Sequence, residues 1–529
     1  MNKKISWDFS YPSQRMPVLA HNLVATSQPL ASQAGLEMML KGGNAVDAAL
    51  ATAITLTVVE PTMNGIGSDA FAILWDGKRI IGLNASGRSP SGWTPEYFSK
   101  YDTIPVLGWD SVTVPGAVSA WVELSERYGQ LPFSELFKPA IKYAKNGFIV
   151  SPITAQLWKI LSPMYKKRFP EFVKAYLPNG KAPKPGELFN FPDQAHTLEL
   201  IAKTEGEAFY SGDLAKKIVS HAHKEGSLLT LGDLEEHKPT WENTLTINFN
   251  DVKLHELPPN SQGLAALIML GIFNTFDLNN YSLDSPELLH LQIESMKLAF
   301  FDAHRYISDS SSLEFDPNHL LKLDYLTQRA NLINPEFAKI YDYGIPNHGD
   351  TVYLTSADAD GMMISYIQSN FWGFGSGIVI PDTGISMQNR GCAFSLEEGH
   401  PNQVGPNKRP FHTIIPAFVT NKEGPIMSFG VMGGPMQPQG AAQLMIRIFE
   451  YNQNPQAAID APRWQVQPGL KVSFESGFSD QLLSILKGYG HNVVKGHFFD
   501  FGGAQLIYRL ESGYLGASDW RKDGQAVGF

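Results

Sequence analysis

The segment 341–369 restricts the fold of this chain more than any other. Its first part, YDYGIPNHGD (341–350), has no regular apolar period and ends in turn formers, which predicts an exposed loop. TVYLTSA follows at once, then Asp358-Ala359-Asp360-Gly361, then MMISYIQS: a strand, a tight turn and a returning strand. Thr351 opens the first strand. Counting back from the turn places Ser369 or Asn370 opposite it, according to whether the turn is odd or even in length. A hydroxyl or a side-chain amide is therefore expected beside Thr351 on the neighbouring strand.

On the N-terminal side, PLASQAGLEMMLKGGNAVDAALATAITLTVVEP (29–61) reads as closely packed, small-residue helices broken at Gly42–Gly43. Residues 70–84 read as a hairpin around Asp76–Gly77, and 115–340 as mainly helical, with Pro-rich loops near 179–192 and at 258–261. Strand-like runs recur at 376–380, 384–388, 412–420 and 425–431, followed by a short helix and a mixed closing segment. A length of 529 residues exceeds an ordinary single core and suits one large unit or two interlocked ones.

Composition narrows the function classes. With 43% hydrophobic and 18% charged residues the chain is globular, and a formal charge of −10 without basic blocks argues against a nucleic-acid partner. The N-terminus lacks an apolar signal core, and no run of about 18 apolar residues predicts a membrane span. Cys392 is the only cysteine, which excludes intramolecular disulfides and cysteine-based zinc sites. Cys392 reads as a small buried hydrophobe, and the compartment as the cytoplasm.

Familiar motifs fall away on context. Gly65-Ile66-Gly67-Ser68-Asp69-Ala70 fits GxGxxA, but the Ala-rich segment before it reads as a helix, not a dinucleotide-binding strand. Asp358-Ala359-Asp360-Gly361 opens like a calcium loop, yet strands flank it and no glutamate closes it. The histidines show no HExxH spacing, no metal site is expected, and no GxSxG elbow occurs.

A different set of motifs, in order along nearly the whole chain, resembles the γ-glutamyltransferase family. They are KGGNAVDAA (41–49), TVPGAVSAW (113–121), PPNSQG (258–263), ESMKLAFFDAHRY (294–306), DTVYLTSADADG (350–361), VGPNKRP (404–410), VMGGP (431–435), AIDAPRW (458–464) and GASDWR (516–521). The resemblance implies an α+β fold, a four-layer αββα sandwich of the N-terminal-nucleophile hydrolase type. It further implies a precursor cut between Asp350 and Thr351, giving fragments 1–350 and 351–529 that stay together as a heterodimer, with further dimerisation left open. No cofactor or metal is implied, and the partner is a small-molecule substrate.

In this class a threonine hydroxyl attacks an amide carbonyl, and its own freed α-amine, of pKa about 7.7–8.0, serves as base. The resemblance places that role on Thr351, whose alternative reading is an ordinary β-branched strand residue. It places the oxyanion hole on Gly433–Gly434 and a neighbouring hydroxyl on Ser369. Candidate substrate contacts are Arg88, Asn370, Arg390, His412 and Thr413.

The chain departs from the family where classical members grip a γ-glutamyl group. Ser86 aligns with the carboxylate-binding arginine, with Arg88 two residues on. Ala393 aligns with the acid that holds the α-amine, Arg390 with a glutamine, Phe371 with an asparagine, and His412–Thr413 with a pair of serines. Val352 stands where many relatives have a second threonine. A shortened lid predicts a more open cleft, and Arg88 and Arg390 have no acidic partner nearby in sequence. These changes favour a small anionic or acyl amide that need not carry a free α-amine. The readings open are a glutathione hydrolase-like enzyme, an oxamate amidohydrolase, a cephalosporin (glutaryl) acylase, or a non-catalytic scaffold that binds small acids.

Overall fold

The computed structural model describes residues 15–341 and 350–529, with Asp350 described by its backbone alone. The loop expected at 341–350 therefore lies, Tyr341 and that backbone apart, outside the described residues.

Small residues and capping explain the first layer. Helix Pro29–Leu40 ends at Gly42, which takes a left-handed φ of +88°. Asn44 then caps helix Ala45–Val59: its side chain accepts from the Val46 and Asp47 amides, while Asp47 accepts from the Asn44 amide. The KGGNAVDAA landmark is thus a stop and a start. Every residue of Ala45–Val59 is buried, because further helices cover its outer side.

Two seven-stranded antiparallel sheets follow. The first runs Gln525–Gly528, Leu23–Thr26, Asp350–Ala357, Met363–Phe371, Asp69–Trp75, Ile80–Asn84 and Thr240–Glu242. The second runs Val18–Ala20, Gly513–Ser518, Gly503–Leu510, Gly424–Met432, Ala417–Asn421, Val252–Glu256 and Leu245–Phe249. Alternation assigns the faces: Val352 and Leu354 pack on the first helical layer, whereas Tyr353, Phe71 and Ile367 meet Phe418, Met432 and Ile507 between the sheets. Helices Gly263–Phe273, Pro286–Tyr306 and Met436–Met445 cover the outer face of the second sheet. The layering is helix, sheet, sheet, helix, the expected α+β sandwich. Each sheet draws strands from both sides of Thr351.

The hairpins predicted at 70–84 and from 351 form as read, whereas the runs at 376–380 and 384–388 shrink to the two-residue strands Val379–Ile380 and Ile385–Ser386. Asp358 turns its carboxylate inward to the Ala45, Asp360 and Met362 amides, as a turn residue does. Among the described residues no helix is long and apolar enough to cross a membrane.

The sheets close tightly beside the nucleophile strand. A Cβ on Gly430 would lie 2.4 Å from the Tyr353 ring, so Gly430→Ala is expected to destabilise the protein by about 1–3 kcal/mol through overpacking. Denaturant unfolding checks this, and an unchanged midpoint would contradict the packing described.

Candidate active site

Asp350 pairs with Phe371 and Val352 with Gln368, so Thr351 opposes two residues, Ser369 and Asn370, across a β-bulge. Both neighbours expected from the turn count are therefore present, and alternation separates them. Thr351 Oγ1 donates to Ser369 Oγ at 3.2 Å. Asn370 turns away: its Nδ2 donates to Ser386 Oγ at 3.2 Å, and its Oδ1 accepts from Ser68 Oγ at 2.8 Å. Ser369 is in turn paired with Asp69 on the next strand. Three adjacent strands thus set Thr351, Ser369 and Asp69 in a row on the face that meets the second sheet.

The second sheet supplies the other wall. Strand Gly424–Met432 runs into Gly433 and Gly434, whose φ values of +116° and +56° suit glycine, and then into helix Met436–Met445. In the first turn of that helix Gln437 accepts the Ile415 amide at Oε1, leaving Nε2 to donate to Thr351 Oγ1 at 3.2 Å. The Thr351 oxygen therefore accepts from Gln437 while its proton points to Ser369. Gln262 Nε2 donates to the Gly434 carbonyl at 2.9 Å and to that of Thr413, tying the glycine turn to the next segment.

Charge is concentrated behind Ser369. Arg390 is fully buried: it donates to Thr413 Oγ1 at 2.8 Å, lies 3.5 Å from Ser369 Oγ, and stacks 4.0 Å from the Phe371 ring centre. Burial lowers its pKa to about 9, opposed by the Asp69 carboxylate. Asp69 Oδ1 accepts from the Gly87 and Gly116 amides at 3.2 and 3.1 Å, and Oδ2 meets His412 Nε2 at 3.1 Å. Burial raises the Asp69 pKa to about 7, against the pull of Arg390 and the two amides. His412, packed on Phe71, is held well below its ordinary range by burial and by Arg390 and Arg409. The neutral ring takes the Ile414 amide on Nδ1 and donates from Nε2 to Asp69.

The structure brings Thr351, Ser369, Arg390, His412 and Thr413 into one connected network, joins Gly434 to it through Gln262, and leaves Arg88 outside. Arg88 pairs with Asp309 at 2.7 Å and donates to the Asn407 carbonyl. Arg88 and Arg390 have no acidic neighbour in sequence, and folding treats them differently: it brings Asp309 to Arg88 as an ion-pair partner, whereas Asp69 acts on Arg390 as a nearby charge. In the uncut chain Thr351 is 1% exposed, and Ser369, Arg390 and Thr413 are fully buried. Ser86, at the position of the missing arginine, is buried against Asn84 and Asn260. Cys392 is only partly buried, and desolvation pushes its thiol up to about 12, far from nucleophilic.

A family model for Gamma-glutamyltranspeptidase matches residues 31–529. The chain belongs to this family. It is 37% identical over 520 residues to the glutathione hydrolase-like YwrD proenzyme of Bacillus subtilis, with 96% of this chain and 98% of that protein covered. It is 36% identical over 529 residues to the oxamate amidohydrolase proenzyme of Klebsiella pneumoniae, covering 97% and 99%. Among solved structures it is similar to a cephalosporin acylase from Bacillus halodurans, with a TM-score of 0.95, 44% identity and 99% of both chains covered. As a gamma-glutamyltranspeptidase-family protein it is an amidohydrolase of the N-terminal-nucleophile type.

Residue reading missed Gln437, Gln262 and Asp69. Asp69 sat in the dismissed GxGxxA match, and the signal was there: a carboxylate opening the otherwise apolar run DAFAILW. It also missed a buried trio, His290, Glu294 and His491, whose ligand atoms lie within 4.8 Å of one another. Lys297 already neutralises Glu294 at 2.6 Å, and His290 is hydrogen-bonded to His491 at 2.8 Å.

Asp69 makes stability depend on pH with a defined sign. Its folded pKa, about 7, exceeds the ordinary 3.8, so the folded state holds the proton more tightly. Its contribution is complete below about pH 4 and is lost as pH rises towards 7. Asp69→Asn is expected to flatten that decline in denaturant unfolding between pH 4.5 and 7.5, and an unaltered slope would contradict the assignment.

Proposed function

We propose that the chain is a self-processing amidohydrolase whose nucleophile is Thr351. The observation that carries this reading is the Thr351 hydroxyl at the bulge, donating to Ser369 and accepting from Gln437. In processing, Oγ1 attacks the Asp350 carbonyl carbon, the Asp350–Thr351 C–N bond breaks, and the acyl group passes to oxygen as an ester. Water then releases the Asp350 carboxylate and leaves Thr351 with a free α-amine. In turnover that amine takes the hydroxyl proton as Oγ1 attacks a substrate amide, and passes it to the departing amine. The amides of Gly433 and Gly434 suit the developing oxyanion, a role whose loss costs about 10²–10³ in rate. No step draws on a cofactor or metal.

The products, 1–350 and 351–529, remain one heterodimer, because each sheet contains strands of both. We place the enzyme in the cytoplasm, with which its lone cysteine accords. The likeness to oxamate amidohydrolase and cephalosporin acylase supports acyl groups other than γ-glutamyl, since Arg390 and Thr413 occupy the pocket here. A scaffold that had lost its chemistry would have no use for a hydroxyl held at both its oxygen and its proton.

Intact-mass measurement of the purified protein beside Thr351→Ala checks the proposal. Two species are expected for the natural protein, the smaller beginning at Thr351, and one full-length species for the variant. A full-length mass in both would overturn it.

A further inference from the structure

We propose that Arg390 determines substrate class: its guanidinium receives the far carboxylate of a short dicarboxylic monoamide, while the site rejects acyl groups that carry an ammonium. The proposal rests on Thr351 as the nucleophile and adds what the acyl group must look like.

Three observations carry it. First, Arg390 is buried with donors to spare. One terminal nitrogen binds Thr413 at 2.8 Å, the other reaches Ser369 at a long 3.5 Å, and Nε has no hydrogen-bond partner. A buried donor left unmet is costly, and a planar guanidinium matches a carboxylate with two parallel N–H bonds. Second, the guanidinium is fixed in place. Phe371 adopts a φ of +79°, uncommon for a residue with a side chain, immediately after the bulge, and its ring lies 4.0 Å from the guanidinium carbon. Third, the nearby acid is engaged. Both oxygens of Asp69 are taken, one by the Gly87 and Gly116 amides and the other by His412, and Ala393 offers no charge. An ammonium entering here would meet Arg390 and find no open carboxylate.

Distance sets the length of the acyl group. Contacts of 3.5 and 3.2 Å in series put a guanidinium nitrogen within about 7 Å of the attacking Thr351 oxygen. A hydrogen bond at one end and an attack distance of about 3 Å at the other leave room for a short span. The shortest diacid monoamides are therefore the ones expected to touch both ends.

The test compares kcat/KM for ammonia release by the processed two-fragment enzyme from oxamate, malonamate, succinamate and glutaramate. The methyl ester of each, which removes the charge, and a γ-glutamyl amide, which adds an ammonium, complete the series. The same set is run on Arg390→Gln and Arg390→Lys. The natural enzyme is expected to favour an anionic substrate over its methyl ester by about 10- to 100-fold, with the best rates among the shortest diacids and the γ-glutamyl amide poor. Because the anion-to-ester ratio is taken within each protein, a common loss of rate cancels. It should fall to near one in Arg390→Gln, mostly through KM, and stay intermediate in Arg390→Lys, which keeps charge without the fork. A ratio near one in the natural enzyme, a preference for the γ-glutamyl amide, or an anion preference kept by Arg390→Gln would overturn the proposal while leaving Thr351 as nucleophile. An unprocessed natural protein that turns over none of the series would instead overturn the reading beneath it. Should Arg390→Gln fail to fold, the natural enzyme's own series and Arg390→Lys still decide.

Discussion

One extra residue in a strand organises this site. Ser369 and Asn370 together oppose Thr351, and the bulge they form sends the two side chains to opposite faces of the sheet. Ser369 is left against the nucleophile's hydroxyl, and Asn370 is sent to Ser68 and Ser386. The same irregularity is followed by the left-handed turn of Phe371, whose ring covers Arg390. A regular ladder would place one residue opposite Thr351 and leave the guanidinium without its cover.

The two-sheet core makes that local device effective. Three neighbouring strands of one sheet deliver Thr351, Ser369 and Asp69 in register, and the other sheet leads into the glycine turn and Gln437. Positions so held need no flexible loop to bring them together, as a positioned catalytic constellation requires. The charges among them are balanced by geometry. His412 and two backbone amides hold Asp69, which acts on Arg390 as a nearby charge. Glycines at 87 and 116 make this possible, because a Cβ on either would strike the backbone carbonyl of Val114 or Ala85 within 1.5 Å.

Much of this was legible in the chain itself. The nucleophile hairpin, the broken helix pair at 29–61 and the two candidates opposite Thr351 follow from strand period, turn residues and capping, which are local properties. The site's electrostatics were not legible, for a physical reason. Asp309 stands 221 residues from Arg88, and Gln437 stands 86 from Thr351, so their pairing exists only once the sheets have formed. Burial of Arg390 was missed likewise. A charged residue in a polar-looking stretch such as MQNRGCAF reads as exposed until its cover is known.

The central claim is that an acyl group passes through the Thr351 oxygen. Acid quenching of the enzyme during turnover of a slowly deacylating substrate, followed by peptide mapping, tests it most directly. The account predicts the acyl mass on the peptide that begins at Thr351, attached to Thr351 itself. An acyl mass on Ser369 or another side chain, with Thr351 unmodified, would contradict it.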